Sequence, residues 1–155
     1  DPLMQIVLFE PEIPPNTGNI GRLCAATTTP LHLIEPLGFR LEDRYLKRAG
    51  LDYWPHLDLT VWPDWPSFCD SLPSGARLVA SSARQGAAYH TVAFRTEDYI
   101  VLGPESSGLP SAICEQAAEL VRIPIWGQVR SLNLANATSV LLYEALRQTG
   151  GLEGR

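Results

Sequence analysis

The chain has 155 residues, of which 45% are hydrophobic and 19% are charged, and its net charge is −5 at pH 7. This length suffices for one globular domain, and the composition excludes disordered and fibrous proteins. The negative net charge provides no overall attraction to a polyanion, so any contact with nucleic acid must come from a local basic patch.

Short apolar runs rich in β-formers alternate with longer runs of helical periodicity, which is typical of an α/β fold around a mostly parallel sheet. The first unit is a strand at Gln5–Phe9, a helix over 17–28 and a strand at Leu31–Ile34. Asn16 or Thr17 is expected to cap that helix. Further strands are predicted at Leu59–Trp62, 77–81, Tyr99–Leu102 and 121–125, and shorter helices at 42–49, 64–71 and 110–117.

The C-terminal helix has the widest apolar surface of the predicted elements. Its stripe consists of Leu134, Thr138, Leu141, Leu142, Ala145 and Leu146, and it is widened by Val140 and Tyr143. A surface of this width packs on two sides. One side would face the sheet, and the other would face either the same chain or a second subunit.

We expect a single domain over 4–150, with 151–155 as a tail and 1–3 as a remnant before the natural start at Met4. The apolar runs are too short to cross a membrane and no signal peptide opens the chain, so a soluble, cytoplasmic protein without membrane contact is expected. The three cysteines and three histidines lack the spacing of metal ligands, and the cysteines suit buried thiols. We therefore expect neither a metal nor a disulfide.

Three segments, at 11–22, 102–110 and 122–137, each follow a predicted strand and lead into a helix. In an open α/β sheet, ligands bind outside the carboxyl ends of the strands, so the three segments could surround one crevice. Glycine and proline in the second segment allow close approach of the backbone to a flat base or an adenosine, although a purely structural turn is the alternative. Neither a dinucleotide-binding glycine motif nor a P-loop is present.

Several polar residues of these segments have both a functional and a structural explanation. Asn16, Asn19 and Arg22 are spaced so that they could point to the N-terminal end of the first helix, where backbone N–H groups favour phosphate. Arg22 could equally be a solvated arginine on a helix face. Ser131 and Asn133 could serve only as caps of the last helix.

A local basic patch is predicted on one face of the helix at 42–49 and just before it. A solvated charged face is the alternative, but in so acidic a chain this concentration is the best candidate for contact with phosphates. The patch consists of Arg40, Arg44, Lys47 and Arg48, joined by Arg84 and Arg130.

The three segments resemble the three motifs of the SPOUT family of RNA ribose methyltransferases. The matching runs are IVLFEPEIPPNTGNI at 6–20, GPESSGLP at 103–110, and RIP at 122–124 followed by SLNL at 131–134. The similarity extends over about 4–150 and is greatest to the subgroup that methylates the wobble nucleotide of tRNA. The resemblance implies an α/β sheet with a C-terminal trefoil knot, a homodimer, and S-adenosylmethionine as the cofactor.

The resemblance also implies roles for individual residues. Arg22 would orient the phosphate and hydroxyl of the RNA, because a guanidinium does not deprotonate in proteins, and Glu105 could order Arg22 through a charge-assisted hydrogen bond. The other implied catalytic residues are Asn16, Ser131 and Asn133, together with Glu105 itself. The implied cofactor-binding residues are Ser81, Gly103, Glu105, Gly108, Ile123, Ile125, Ser131, Leu132 and Asn133.

The leading hypothesis is an S-adenosylmethionine-dependent tRNA 2′-O-methyltransferase that acts on the wobble pyrimidine nucleotide. One alternative is ribose methylation at another tRNA or rRNA site, since the motifs serve the cofactor and the ribose rather than the surrounding RNA sequence. Another is a non-enzymatic RNA-binding or cofactor-binding module of the same fold. The alternating pattern alone would also fit a flavodoxin-like nucleotide or phosphate binder.

Overall fold

Parallel strands form the centre of the molecule. The computed structural model describes residues 3–42 and 53–155, and within these ranges seven strands form one sheet in the order β3-β2-β1-β6-β4-β7-β5 with every pairing parallel. The strands are β1 Gln5–Phe9, β2 Leu31–Ile34, β3 Leu59–Trp62, β4 Leu78–Ser81, β5 Ala87–Ala88, β6 Tyr99–Leu102 and β7 Glu119–Arg122. The prediction of an α/β fold with a mostly parallel sheet is confirmed.

Helices follow the strands as the periodicity predicts. They are α1 Pro14–Thr27, α2 Trp65–Asp70, α3 Ser111–Gln116 and α4 Leu134–Gln148, with 3-10 turns at Trp54–His56 and Tyr89–Thr91. The first strand, α1 and the second strand form the predicted β-α-β unit, because β1 and β2 are parallel neighbours. The helix predicted at 42–49 lies outside the described residues except for its first residue, Glu42.

The start of α1 differs from the prediction. The helix begins at Pro14, so Asn16 and Thr17 lie buried in its first turn and neither is its cap. Two prolines begin the helix because the first N–H groups of any helix lack intrahelical partners, so the missing protons cost nothing there. The N-cap is Ile13, which has no capping side-chain bond. The Asn16 side chain is therefore available for contacts beyond its own helix.

Two strand predictions also need correction. The strand expected at 121–125 is Glu119–Arg122, and Pro124, which lacks the N–H that a ladder needs, lies outside it. The two-residue β5, which pairs with β7, was not predicted. A strand this short has no recognisable periodicity, and its pairing depends entirely on the position of β7.

The two faces of the sheet are covered by different helices. On one face, Ile6 and Leu8 of β1 pack with Ile20 of α1 and Leu141 of α4. On the other, Val7 and Phe9 pack with residues of α2 and α3, including Phe68 and Ile113. Both faces are apolar because a parallel sheet is covered on each side. Of the three cysteines, only Cys24 is fully buried, and this burial raises the pKa of its thiol to about 12.

Candidate functional site

A cavity of about 680 Å³ opens at the carboxyl edge of the sheet. Its walls come from the segments after β4, β6 and β7 and from the start of α1. All nine residues that were predicted to bind the cofactor line it: Ser81, Gly103, Glu105, Gly108, Ile123, Ile125, Ser131, Leu132 and Asn133. The three motifs therefore meet around one cavity, as expected for the carboxyl ends of parallel strands.

Glu105 connects the segment after β6 to the start of α1. One carboxylate oxygen accepts a hydrogen bond from the Glu12 N–H at 2.8 Å, and the other accepts from the Ile13 N–H at 2.9 Å and from Asn16 Nδ2 at 3.2 Å. Carboxylate acceptors favour the N-terminal end of a helix because its N–H groups carry partial positive charge. The protein's own Glu105 carboxylate thus lies at this helix end and accepts from its N–H groups.

Glu12 makes the reciprocal contact between the same two segments. Its carboxylate accepts from the Ser106 N–H at 2.7 Å and from the Ser106 hydroxyl at 2.9 Å. These bonds lower the pKa of Glu12, the backbone contribution being the larger. The two glutamates thereby connect the first and second motifs in both directions. We call these contacts the glutamate clamp: Glu12 with Ser106, and Glu105 with the N–H groups of Glu12 and Ile13.

Asn133 connects the third motif to the clamp. Its side-chain oxygen caps α4 by accepting from the N–H groups of Ala135 and Asn136 at 2.8 and 3.2 Å, which is one of the roles that its residue type predicted. Its amide nitrogen donates to Asn16 Oδ1 at 2.9 Å. Asn133 is therefore both a cap and one end of a chain of hydrogen bonds that runs through Asn16 to Glu105.

Two glycines give the second motif its shape. A Cβ atom on Gly103 would lie 2.4 Å from the Leu109 nitrogen, which no side chain tolerates. Gly108 has a φ of +70°, a backbone conformation that other residues rarely adopt, and nothing lies within 4 Å of its Cβ position. The turn after β6 thus needs glycine for its backbone, and at Gly108 it leaves open space beside the cavity.

Arg22 lies apart from this cavity. It is exposed on α1, it does not line the cavity, and it makes no ion pair or hydrogen bond with Glu105, although both residues are described. The oxygens of Glu105 accept instead from the Glu12 and Ile13 N–H groups and from Asn16 Nδ2. Arg22 instead lies near Tyr53, whose hydroxyl donates to the Gly18 carbonyl. Burial raises the pKa of Tyr53, and the Arg22 charge opposes that rise.

The predicted basic residues divide into three groups. Arg84 and Arg130 line the cavity, and Arg40 is exposed but does not line it. The remaining members, Arg44, Lys47 and Arg48, lie outside the described residues.

Sequence reasoning missed some side chains of the site. Glu12 and Ser106 belonged to the motifs, but their bond joins residues 94 positions apart, and nothing in the sequence indicates such a pairing. The only signal for Glu12 was an acidic residue just before the prolines that start α1. In the described ranges, no three histidine, cysteine or acidic side chains converge as metal ligands would. None of the helices described is long and apolar enough to cross a membrane.

Comparison with known proteins agrees with this geometry. The model of the SpoU rRNA Methylase family matches residues 3–143, so the chain belongs to that family. A tRNA (cytidine(34)-2′-O)-methyltransferase of Methylovorus glucosotrophus (strain SIP3-4) is 51% identical over 148 residues, which cover 94% of this chain and 96% of the relative. The family resemblance inferred from the motifs is thereby confirmed.

Two solved structures extend the comparison. One, which concerns the 2-OH methylation of C/U34 on tRNA, is 50% identical and superposes with a TM-score of 0.90 over 96% of this chain and 91% of that one. The other is the SpoU methyltransferase AviRb of Streptomyces viridochromogenes in complex with AdoMet. It is 26% identical, with a TM-score of 0.86 over 100% of this chain and 60% of that one.

Proposed function

We propose that this protein is an S-adenosylmethionine-dependent 2′-O-methyltransferase that acts on nucleotide 34 of tRNA. The observation that carries the proposal is the 51% identity, over nearly the whole chain, to an enzyme named for that nucleotide. The arrangement of the three motifs around one cavity supports it, since a methyl donor and a ribose must be held together.

The cavity suits S-adenosylmethionine in size and chemistry. A volume of about 680 Å³ is typical of a site for a ligand of this size. Its lining combines the apolar side chains of Ile123, Ile125 and Leu132 with the polar side chains of Ser81 and Asn133 and the open space at Gly108. The cofactor supplies an electrophilic methyl group on its sulfonium. The nine lining residues predicted from the sequence would hold it.

The protein's own contribution is mainly positioning. The ribose 2′-oxygen must approach the methyl group in line, and holding two reactants in that geometry removes much of the entropic barrier. The clamp and the Asn16–Asn133 bond fix the three motifs relative to one another. Arg22 orients the phosphate and hydroxyl of the RNA, while the substrate phosphate takes part in removing the hydroxyl proton, because a guanidinium does not act as a base in proteins.

A homodimer is part of the proposal, because Arg22 does not line the cavity of its own chain. A second copy can bring its Arg22 to that cavity. Large apolar side chains exposed just before α1 and on α4 support such an interface, with Ile13 44% and Tyr143 45% exposed. Contact between α1 and α4 makes one continuous surface of the two helices. The C-terminal trefoil knot implied by the family resemblance, and a cytoplasmic location with tRNA, belong to the same proposal.

Transfer of labelled methyl from S-adenosylmethionine to tRNA that lacks 2′-O-methylation at nucleotide 34 tests the proposal. Nucleoside mapping should place the label on the ribose of nucleotide 34, and Arg22→Ala should abolish transfer while Arg95→Ala, a matched exposed arginine, retains it. Label at another tRNA or rRNA site would keep the reaction and refute the nucleotide assignment. Cofactor binding without transfer to any RNA would indicate a non-enzymatic module.

A further inference from the structure

A second, smaller cavity adjoins the first. It has a volume of about 340 Å³ and lies between the segment after β4 and the segment after β7. The two cavities share five lining residues, namely Ala83, Arg84, Ile123, Ile125 and Arg130. A ligand in the smaller cavity would therefore lie directly beside one in the larger cavity.

Three arginines line the smaller cavity: Arg84, Arg122 and Arg130. No aspartate or glutamate is among its lining residues, and within 3–42 and 53–155 none of the three arginines forms an ion pair. The guanidinium of Arg122 donates to the Gly86 carbonyl, a neutral acceptor. In a chain with a net charge of −5, three arginines without a carboxylate create a strong local preference for an anion.

An oxyanion is the ligand chemistry that guanidinium groups recognise. Two groups in the proposed reaction could supply one: the carboxylate of S-adenosylmethionine and a phosphodiester of the RNA. Three positive charges exceed the need of a single carboxylate, whereas an RNA strand presents successive phosphates. The segment between Arg122 and Arg130 also exposes Trp126 by 91% and Val129 by 64%. Basic groups combined with exposed aromatic rings are typical of sites for single-stranded nucleic acid.

We propose that Arg84, Arg122 and Arg130 bind the phosphodiester backbone beside the nucleotide to be methylated, and that Trp126 stacks on a neighbouring base. The inference rests on the proposed function and adds to it the path of the RNA strand past the cofactor cavity. It assigns a role to Arg122 and to Trp126, which the motifs did not indicate.

The test measures tRNA binding at several salt concentrations. Each arginine that neutralises a phosphate contributes about 0.7 to 0.9 to the slope of log affinity against log salt. The double variant Arg84→Gln/Arg130→Gln should therefore lower the slope by about 1.5. Arg95→Gln, which removes one positive charge from the loop before β6, should leave the slope unchanged. In the double variant the affinity for S-adenosylmethionine without RNA should change much less than the affinity for tRNA, because the nine residues that would hold the cofactor are unaltered, and in Arg95→Gln it should be unchanged.

Trp126→Ala provides the second arm. Loss of stacking should weaken tRNA binding by about tenfold with no change in the salt slope, and Trp126→Phe should retain most of the affinity. Both Trp126 variants leave the arginine cavity intact, so a change in slope on Trp126→Ala would contradict the stacking assignment.

Three results would overturn the inference. An unchanged slope with weaker S-adenosylmethionine binding would assign the arginines to the cofactor carboxylate. An unchanged slope with a shift from dimer to monomer in sedimentation would make this surface an interface between copies. An unchanged slope with no other effect would mean that the three arginines have no role in binding. Methyl transfer to a different RNA would refute the proposed substrate, and the same salt series on that RNA would then decide the inference separately.

Discussion

The two edges of the sheet use polar side chains differently. At the amino edge, Asp98 is 1% exposed and its carboxylate accepts from Arg77 Nε and Nη2, both at 2.9 Å, and from the Arg95 N–H at 2.8 Å. At the carboxyl edge, the clamp is equally well bonded but borders a cavity, and the three arginines beside it lack carboxylate partners among the described residues. At the amino edge the charged side chains pair with each other, whereas at the carboxyl edge the three arginines are the groups that we propose bind a ligand.

Near the amino edge, both ring nitrogens of His32 are also hydrogen-bonded within the protein. Trp62 Nε1 donates to His32 Nδ1 at 3.0 Å, so Nδ1 carries no proton. The proton therefore lies on Nε2, which donates to Gln5 Oε1 at 2.6 Å. Burial lowers the pKa of His32, and the nearby Asp58 charge opposes this only in part. The imidazole is thus held neutral in one tautomer.

The largest effect is expected from Asp98→Ala at the amino edge. Removal of one partner of a buried pair leaves Arg77, itself 14% exposed, without its partner, which costs about 3 to 5 kcal/mol of the free energy of unfolding. Urea denaturation of the variant and the wild type measures this loss in the free energy of unfolding. Glu119→Ala is the matched control, because Glu119 lies 3.8 Å from the same arginine but is 41% exposed. This substitution should lower the free energy of unfolding by no more than about 1 kcal/mol. Equal losses in the two variants would refute the comparison.

The next largest effect is expected from Glu105→Gln at the carboxyl edge. An amide nitrogen cannot accept the hydrogen bonds that the second carboxylate oxygen accepts, so the first and second motifs should separate. We expect the affinity for S-adenosylmethionine, measured by calorimetry, to fall about tenfold, since a hydrogen bond to a charged group contributes about 1.5 to 3 kcal/mol. Glu115→Gln, an exposed glutamate on α3, is the control. Unchanged affinity in Glu105→Gln would show that the clamp does not shape the cavity.

A smaller effect is expected at the other half of the clamp. Glu12→Gln and Ser106→Ala each remove part of one solvent-exposed contact, so each should weaken cofactor binding by less than Glu105→Gln does. The double variant should lose less than the sum, because the two residues contact each other directly. Full additivity in a double-mutant cycle would mean that the Glu12–Ser106 contact does not act on the cavity.

The smallest effect is expected from pH at His32. Its folded pKa lies below the usual 6.5, so the unfolded chain takes up the proton first. The free energy of unfolding should therefore fall as the pH drops below about 6.5, and this contribution should level off below the folded pKa. Urea unfolding from pH 7.5 to 5.5 should show a steeper dependence for the wild type than for His32→Gln. Identical slopes would contradict a neutral buried imidazole.

Much of the fold could be predicted because the sequence patterns that indicate its strands and helices are local. The bounds of β1, β2, β3 and β6 agree with the predicted ones, since each is a short apolar run between turn residues. The start of α1 was misplaced because Asn16 and Thr17 have the side chains of caps, whereas the two prolines before them already form the first turn. Residue type alone does not distinguish a cap from a buried polar residue of the first turn.

Many residues of the candidate site could be predicted from the sequence, but the hydrogen bonds between them could not. The sequence indicated which segments surround the cavity and nine of the residues that line it, because parallel strands bring their following segments to one edge and the family motifs mark those segments, but it also assigned to the site Arg22, which lies apart. The contacts between these segments became visible only in the folded chain: Glu105 bonds the start of α1 and not Arg22, Glu12 bonds Ser106, and Arg122 lies with Arg84 and Arg130. Periodicity and composition report on near neighbours, whereas these contacts join residues from different strands, and they exist only once the sheet has brought those strands together.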